Sequence, residues 1–593
     1  MRPLYATVAL VLVQSSSAHA QVSGTVIDQV SRLPIEGAVV SVQASDIETQ
    51  TDVTGAFALP DAAGADLVVV AGAKGYFYTS SVVSAPGTGV ALELEPVPRE
   101  DDDSYTFRAP LDCANCHDAQ YDEWNGSPMA KAGTNTWVYD IYDGTGTAGG
   151  EGGFVYTRDS VHATENPESE CSSCHQPESW VQDAFSGLGD LANPTAGIRH
   201  GVACDLCHRI ADIDASRPNF PGLYPGTVTL TRPADNAWTV MYGLLGDADF
   251  VDGDRMRASY QPQLRAEVCA ACHQDKNDPD GDGDFEEDDG VISEPTYLEW
   301  LASDYSNPES AHYATCVDCH MPGTTRTAAC DDLFDVLARP EGDVRSHLIL
   351  GTTPEYLENA VTLTLDAAQD DDEIIVDVVI DNDLTGHHVP TGVTIRNMIL
   401  VVEAWRDGDG AILESLGDQV VHDLGGVGDP AEGYYAGLPG KLYGKLNHDA
   451  DGNGPTFFTD ATGLQFDNRI HALESDATQY RFRAPADGGQ IHVRARVIYR
   501  RSWRALVDAK QWTLDGHGNP LADVAAPHFG HLMEDAERVL DVPSVPSPDA
   551  GTDDDDGGGC GCRVGSRRAA PTPWLALFAL VVFRRSRYAA SDS

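Results

Sequence analysis

The sequence predicts a multidomain chain in which a mainly helix-and-loop segment lies between two β-sandwiches. Three observations predict it. Residues 21–98 and 357–543 carry short runs of alternating apolar and polar side chains broken by turns, the period-two pattern of half-buried strands. Between them the alternation fades and glycines and loops are frequent. In that middle stretch the pattern Cys-x-x-Cys-His occurs five times.

Residues 1–20 read as a signal peptide. Arg2 precedes an apolar run, Leu4 to Val13, and Ser15-Ser-Ser-Ala-His-Ala20 resembles a small-residue cleavage site. The run is short of the ~20 apolar residues of a membrane span. The mature chain is expected to start at Gln21. The first sandwich follows over 21–98, with strands expected at Val22 to Asp28, Gly37 to Gln43, Ala56 to Leu59, Leu67 to Val70 and Val90 to Leu94. Gly24-Thr-Val-Ile-Asp28, Pro34-Ile-Glu-Gly-Ala-Val-Val40, Thr51-Asp-Val-Thr-Gly-Ala-Phe57 and Gly72-Ala-Lys-Gly-Tyr76 resemble the carboxypeptidase regulatory-like domain. The resemblance implies an accessory module, either a spacer or a carbohydrate binder.

Residues 99–356 hold all five motifs: Cys113-Ala-Asn-Cys116-His117, Cys171-Ser-Ser-Cys174-His175, Cys204-Asp-Leu-Cys207-His208, Cys269-Ala-Ala-Cys272-His273 and Cys316-Val-Asp-Cys319-His320. This is the attachment signature of c-type haem. Positions i, i+3 and i+4 share one face of a helical turn, so two thiols and an imidazole can reach one macrocycle. The motifs use ten of the 13 cysteines. A histidine directly after every second cysteine argues against zinc or redox use of the pairs. Five haems would supply much of the core that side chains otherwise build. Covalent haem attachment outside the cytoplasm agrees with the signal peptide.

The five motif histidines are expected as proximal iron ligands, and the sixth position then sets potential and function. His162, His200, His312, His347, His387 and Met129 are the distal candidates, with Met256 weaker. Cys113-Ala-Asn-Cys-His117-Asp-Ala-Gln-Tyr121-Asp-Glu-Trp124, Gly201-Val-Ala-Cys204, Tyr297-Leu-Glu-Trp300, Cys319-His-Met-Pro322 and Gly386-His-His-Val-Pro-Thr-Gly392 resemble the multihaem cytochrome superfamily that includes cytochrome c-554-like carriers. The resemblance implies distal roles for His162, His347 and His387. Where the family often has Ser-x-His after Tyr-x-x-Trp, this chain has Ser127-Pro-Met129. Either Met129 ligates the first iron, or that haem is open or served by another residue.

Two acidic loops follow calcium-loop spacing. They are Asp278, Asp280, Asp282 and Asp284 with Asp289, and Asp449, Asp451 and Asn453 with Asp460. Neither has clear EF-hand helices, and a solvated acidic loop is the alternative. The second sandwich is expected over 357–543, with strands at 361–365, 373–380, 399–404, 479–483 and 491–498.

Residues 544–559 form an acidic Gly/Pro linker, and 560–593 hold Cys560-Gly-Cys562, an apolar run from Trp574 to Phe583, and Arg584-Arg-Ser-Arg587. This resembles the myxobacterial C-terminal sorting signal, which implies processing near the cysteines and anchoring at the cell surface. A tail anchor in the inner membrane, leaving the protein periplasmic, is the alternative.

The balance of 93 acidic against 38 basic residues gives a formal net charge of −55. Such a surface repels nucleic acid and anionic lipid. There is no Gly-x-Ser-x-Gly, P-loop or His-Glu-x-x-His. The expected function is therefore an exported, surface-displayed pentahaem cytochrome that relays electrons to an unidentified redox partner. The alternatives are a haem oxidoreductase with one open iron acting on a small nitrogen or sulfur compound, and a glycan- or partner-binding protein.

Overall fold

The computed structural model describes residues 22–234, 240–252, 256–330 and 337–544. The signal peptide at 1–20, the linker from 545 on and the Cys560–Cys562 tail lie outside the described residues. The chain up to Val545 forms one compact unit. It contains many β-sheets and a helix-poor middle.

At the N-terminal end, strands Val22–Asp28, Ala56–Leu59 and Gly87–Leu94 form one sheet, and Val39–Val42, Glu48–Gln50, Leu67–Gly72 and Thr79–Val83 form another. Alternate residues Val22, Val26, Phe57, Leu59, Leu92 and Leu94 meet Val40, Val69 and Ala71 in a shared core. This module is tied to the middle segment. The Ala44 N–H donates to Asp247 at 2.6 Å, and Lys74 pairs with Asp212 at 2.5 Å.

The C-terminal part has a three-stranded sheet, Thr362–Asp370, Glu373–Asp381 and Ser475–Arg483. Facing it is a five-stranded sheet in the order Gly463–Asp467, Gly440–His448, Asn397–Arg406, Gly489–Arg500, His531–Val542. Asn397–Arg406 is a near-continuous apolar run because it is covered on both faces. Met398, Leu400, Val402 and Ala404 enter the core between the sheets. Ile399 and Val401 point the other way, into a second core with Trp503, Val507 and Trp512, against which Trp137, Ile141 and Phe154 of the middle segment pack.

Three strands of this sheet, Gly463–Asp467, Gly440–His448 and His531–Val542, were not expected from sequence. Gly440–His448 carries two glycines and two lysines, a poor strand pattern. His531–Val542 reads His-Leu-Met-Glu-Asp-Ala-Glu-Arg-Val-Leu, closer to a helical period. It becomes a strand because its acids match the neighbouring strand's bases. Asp535 binds Arg494, and Glu537 accepts from His492 at 2.6 Å, the cross-strand pairing that stabilises an antiparallel ladder.

In the middle segment the helices are short, four to nine residues among Pro110–Cys113, Asp118–Gly126, Cys171–His175, Cys204–Cys207, Glu267–His273 and Cys316–His320. Small ladders, including Ile210–Ile213 with Val228–Leu230 and Val240–Gly243 with Met256–Tyr260, lie among them. These ladders are additions to the expected helix-and-loop character. Among the described residues, no helix is long and apolar enough to cross a membrane.

Candidate haem-binding site

Every motif forms a helical turn, as the spacing requires. The fifth is the most fully capped. Thr315 accepts from the Asp318 N–H, and the Asp318 carboxylate accepts from the Thr315 N–H at 2.9 Å, a reciprocal capping box. All ten motif cysteines and all five motif histidines line one continuous cavity of about 2440 Å³. One-fifth of that, about 490 Å³, is within the ~300–1,000 Å³ typical of a single cofactor pocket.

The motifs neighbour one another in a defined order. The Cys113 and Cys204 thiols are neighbours, as are Cys174 with Cys272 and Cys269 with Cys316. Cys207 is an electrostatic neighbour of Cys272. The histidines repeat the pattern: His117 neighbours His208, His175 neighbours His273, and His273 neighbours His320. The first motif thus adjoins the third, the third adjoins the fourth, and the fourth adjoins both the second and the fifth.

The imidazoles are set for ligation. Nδ1–H donates to a backbone carbonyl in His117 (Ala329, 2.7 Å), His208 (Tyr242, 2.5 Å) and His320 (Leu350, 2.5 Å). A carbonyl only accepts, so the proton is fixed on Nδ1 and the Nε2 lone pair is free for a metal. His387 and His347 are held likewise, on the carbonyls of His388 at 3.0 Å and Arg345 at 3.2 Å. Burial holds His320 and His347 down to about 4, which keeps both neutral, the form a metal binds. His273 differs, with its Nδ1 3.9 Å from the Glu294 carboxylate. Beside it, burial and the Glu294 charge push the Asp275 carboxyl up to about 7.

His320 and His387 face each other with parallel rings, centroids 6.4 Å apart and planes inclined by 6°. Two metal–nitrogen bonds of about 2 Å, plus the ring radii, place two imidazoles sharing one metal about 6 Å apart. The gap suits a single iron. His347 has His208 as its imidazole neighbour.

A repeated element positions both pairs. Tyr121-Asp-Glu123-Trp124-Asn-Gly-Ser127 and Tyr297-Leu-Glu299-Trp300-Leu-Ala-Ser303 have the same residues at four positions, on helices Asp118–Gly126 and Thr296–Leu301. Trp124 donates through Nε1 to the Val202 carbonyl at 2.8 Å, two residues before Cys204. Trp300 donates to Ala314 at 2.9 Å, two residues before Cys316. Glu123 accepts from the His347 N–H at 2.8 Å, and Glu299 from the His388 N–H at 3.2 Å. Each unit therefore grips the start of one motif and the backbone carrying the histidine that faces it. Glu299 is itself fixed by Arg469 at 2.6 Å and Thr391 at 2.7 Å. The spacing was visible in sequence, but the pairing of the third motif with His347 and the fifth with His387 was not.

The other candidates divide. His162, Met129 and Met256 line the cavity, with Met129 packed against the Trp124, Ala130 and Ala203 cluster. His200 donates to Glu178 at 2.7 Å, and exposed His312 packs on Tyr305. Neither is among the residues that line the cavity. His517, which sequence reasoning passed over, does line the cavity.

In the first acidic loop, Asp278, Asp280 and Asp282 bring ligand atoms within 4.8 Å of one another. The negative charge of Asp282, with burial and the charges of Asp280, Asp289 and Asp284, holds the Glu287 carboxyl beside it above the usual carboxylate range. The second loop does not converge in this way among the described residues. Asp449 accepts from the Asp451 and Asn453 N–H groups, while Asp460 turns away to accept from Ser160 at 2.6 Å.

Residues 112–209, which carry the first three motifs, match the family model described as cytochrome c554 and c-prime. No curated protein matches the chain. Among solved structures, the chain is similar to a penta-heme cytochrome c552 from Thermochromatium tepidum. That match has 21% identity, covers 72% of this chain and 97% of that one, and has a TM-score of 0.49.

Proposed function

We propose that the protein is an exported pentahaem c-type cytochrome, displayed at the cell surface through its C-terminal tail, that relays electrons. The observation that carries the reading is that five attachment motifs line one cavity and adjoin one another without a break. When bound, haem supplies reversible one-electron chemistry at iron. The ten motif cysteines would hold the five macrocycles by thioether bonds. His117, His175, His208, His273 and His320 would offer Nε2 on one side. His347 would complete the third site and His387 the fifth. A second histidine lowers the potential of an iron, which suits electron transfer over substrate binding at those two sites.

The assignment is tested by spectroscopy of the purified holoprotein. His387→Ala is expected to leave five haems while converting one-fifth of the iron from low-spin to high-spin ferric in the EPR spectrum. An unchanged low-spin count would refute the fifth pair. An open-iron oxidoreductase is the second reading, and it is favoured at the first motif, where Met129 replaces the histidine of the resembling family. Cyanide binding to one-fifth of the wild-type iron would support it.

A further inference from the structure

We propose that His517 supplies the sixth iron ligand for the haem carried by Cys171-Ser-Ser-Cys174-His175. The inference rests on the reading that this motif binds haem. It goes beyond that reading by drawing a ligand from the C-terminal β-region, more than three hundred residues along the chain from its partner.

Three independent observations converge. His517 and His175 line the same cavity and are electrostatic neighbours. The Nδ1 atom of His517 is shielded from solvent and has no hydrogen-bond partner among the described residues. A buried ring nitrogen left so is destabilising, and a metal bond would satisfy it. The loop that carries His517 is also anchored on the middle segment, on the stretch between the first and second motifs. Thr136 N–H donates to the Gly516 carbonyl at 2.9 Å, and Trp137 Nε1 donates to Leu514 at 3.0 Å.

The loop is built to hold the ring still. Buried Asp515 accepts from the N–H groups of His517 at 3.0 Å and Asn519 at 2.8 Å, and pairs with Arg501 at 3.0 Å. Gly516 packs so closely on Asn135 that an added Cβ would lie 1.9 Å from Asn135 Oδ1. A side chain there would push the loop off the middle segment and withdraw His517 from the cavity. Asp515-Gly-His-Gly-Asn519 looks like an ordinary polar turn, which is why sequence spacing does not single it out.

The test compares holoprotein of wild type and His517→Ala. Haem content is read by pyridine haemochromogen and peptide mass, and spin state by EPR. Haem retained on the Cys171–Cys174 peptide, with high-spin iron increased by one-fifth of the total and restored to low-spin by added imidazole, is the expected result. Haem retained with an unchanged spin count overturns the inference and leaves the cytochrome reading intact. Absence of haem from that peptide in the wild type overturns the cytochrome reading, and this inference with it. Should His517→Ala fail to accumulate, His517→Met serves. A thioether ligand keeps the iron low-spin and raises the midpoint potential of one haem in five, whereas five unshifted potentials overturn the assignment.

Discussion

Replacing Cys269 and Cys272 together by alanine is expected to remove one haem of five and to split the remaining four into groups that no longer exchange electrons quickly. The fourth motif is the junction of the set. The Cys272 thiol neighbours Cys174 of the second motif, Cys269 neighbours Cys316 of the fifth, and Cys207 of the third is an electrostatic neighbour of Cys272. Without it the first and third motifs still adjoin through Cys113 and Cys204, but the second and fifth lose their neighbouring thiols in the fourth. Stopped-flow reduction by a protein-sized donor should then become biphasic. The matched control is Cys171→Ala with Cys174→Ala, which also removes one haem but from a branch end. It should stay monophasic. Monophasic reduction of the fourth-motif variant at the wild-type rate would refute the branched arrangement.

The chemistry of this site was legible in sequence, but its wiring was not. Five Cys-x-x-Cys-His motifs name five attachment points, because a single helical turn is a local structure. Which motif adjoins which depends on contacts between turns as far apart as Cys113 and Cys204, and no local pattern encodes them. His387 stood out through Gly386-His-His-Val-Pro-Thr-Gly392, yet its partner emerged only once Glu299 had tied that loop to the helix ahead of the fifth motif. The strands with clean alternation, such as Glu373–Asp381, were readable. His531–Val542 was not, because its exposed charges make sense only opposite Arg494 and His492.

Asp140→Ala is expected to destabilise the holoprotein by about 3–5 kcal/mol, the cost of removing one member of a buried charged network. Asp140 is fully buried. Its carboxylate accepts from Trp512 Nε1 at 2.6 Å and from the Thr147 N–H and Oγ1, each at 2.7 Å. The fully buried Lys510 ammonium donates to the carbonyls of Asp140 at 2.6 Å and Gly150 at 2.5 Å. Trp137 stacks on Trp512 with centroids 3.9 Å apart. This cluster joins the middle segment to the C-terminal β-region, so its loss loosens the wall on which the cavity depends. A denaturation midpoint that falls with unchanged slope reports the stability change. Lys510 gives the effect a pH signature. Burial holds its ammonium down to about 8 from 10.5, against the opposing pull of Asp140. Between those values the unfolded chain binds the proton more strongly than the folded one. Stability from this group therefore rises as pH climbs from about 8 to 10.5. A neutral Lys510 no longer needs the Asp140 charge, so the Asp140→Ala deficit should shrink between pH 7 and pH 10. Lys510→Met should abolish that pH dependence. A deficit equal at both pH values would show that hydrogen bonds to Trp512 and Thr147, rather than the charge pair, hold the joint.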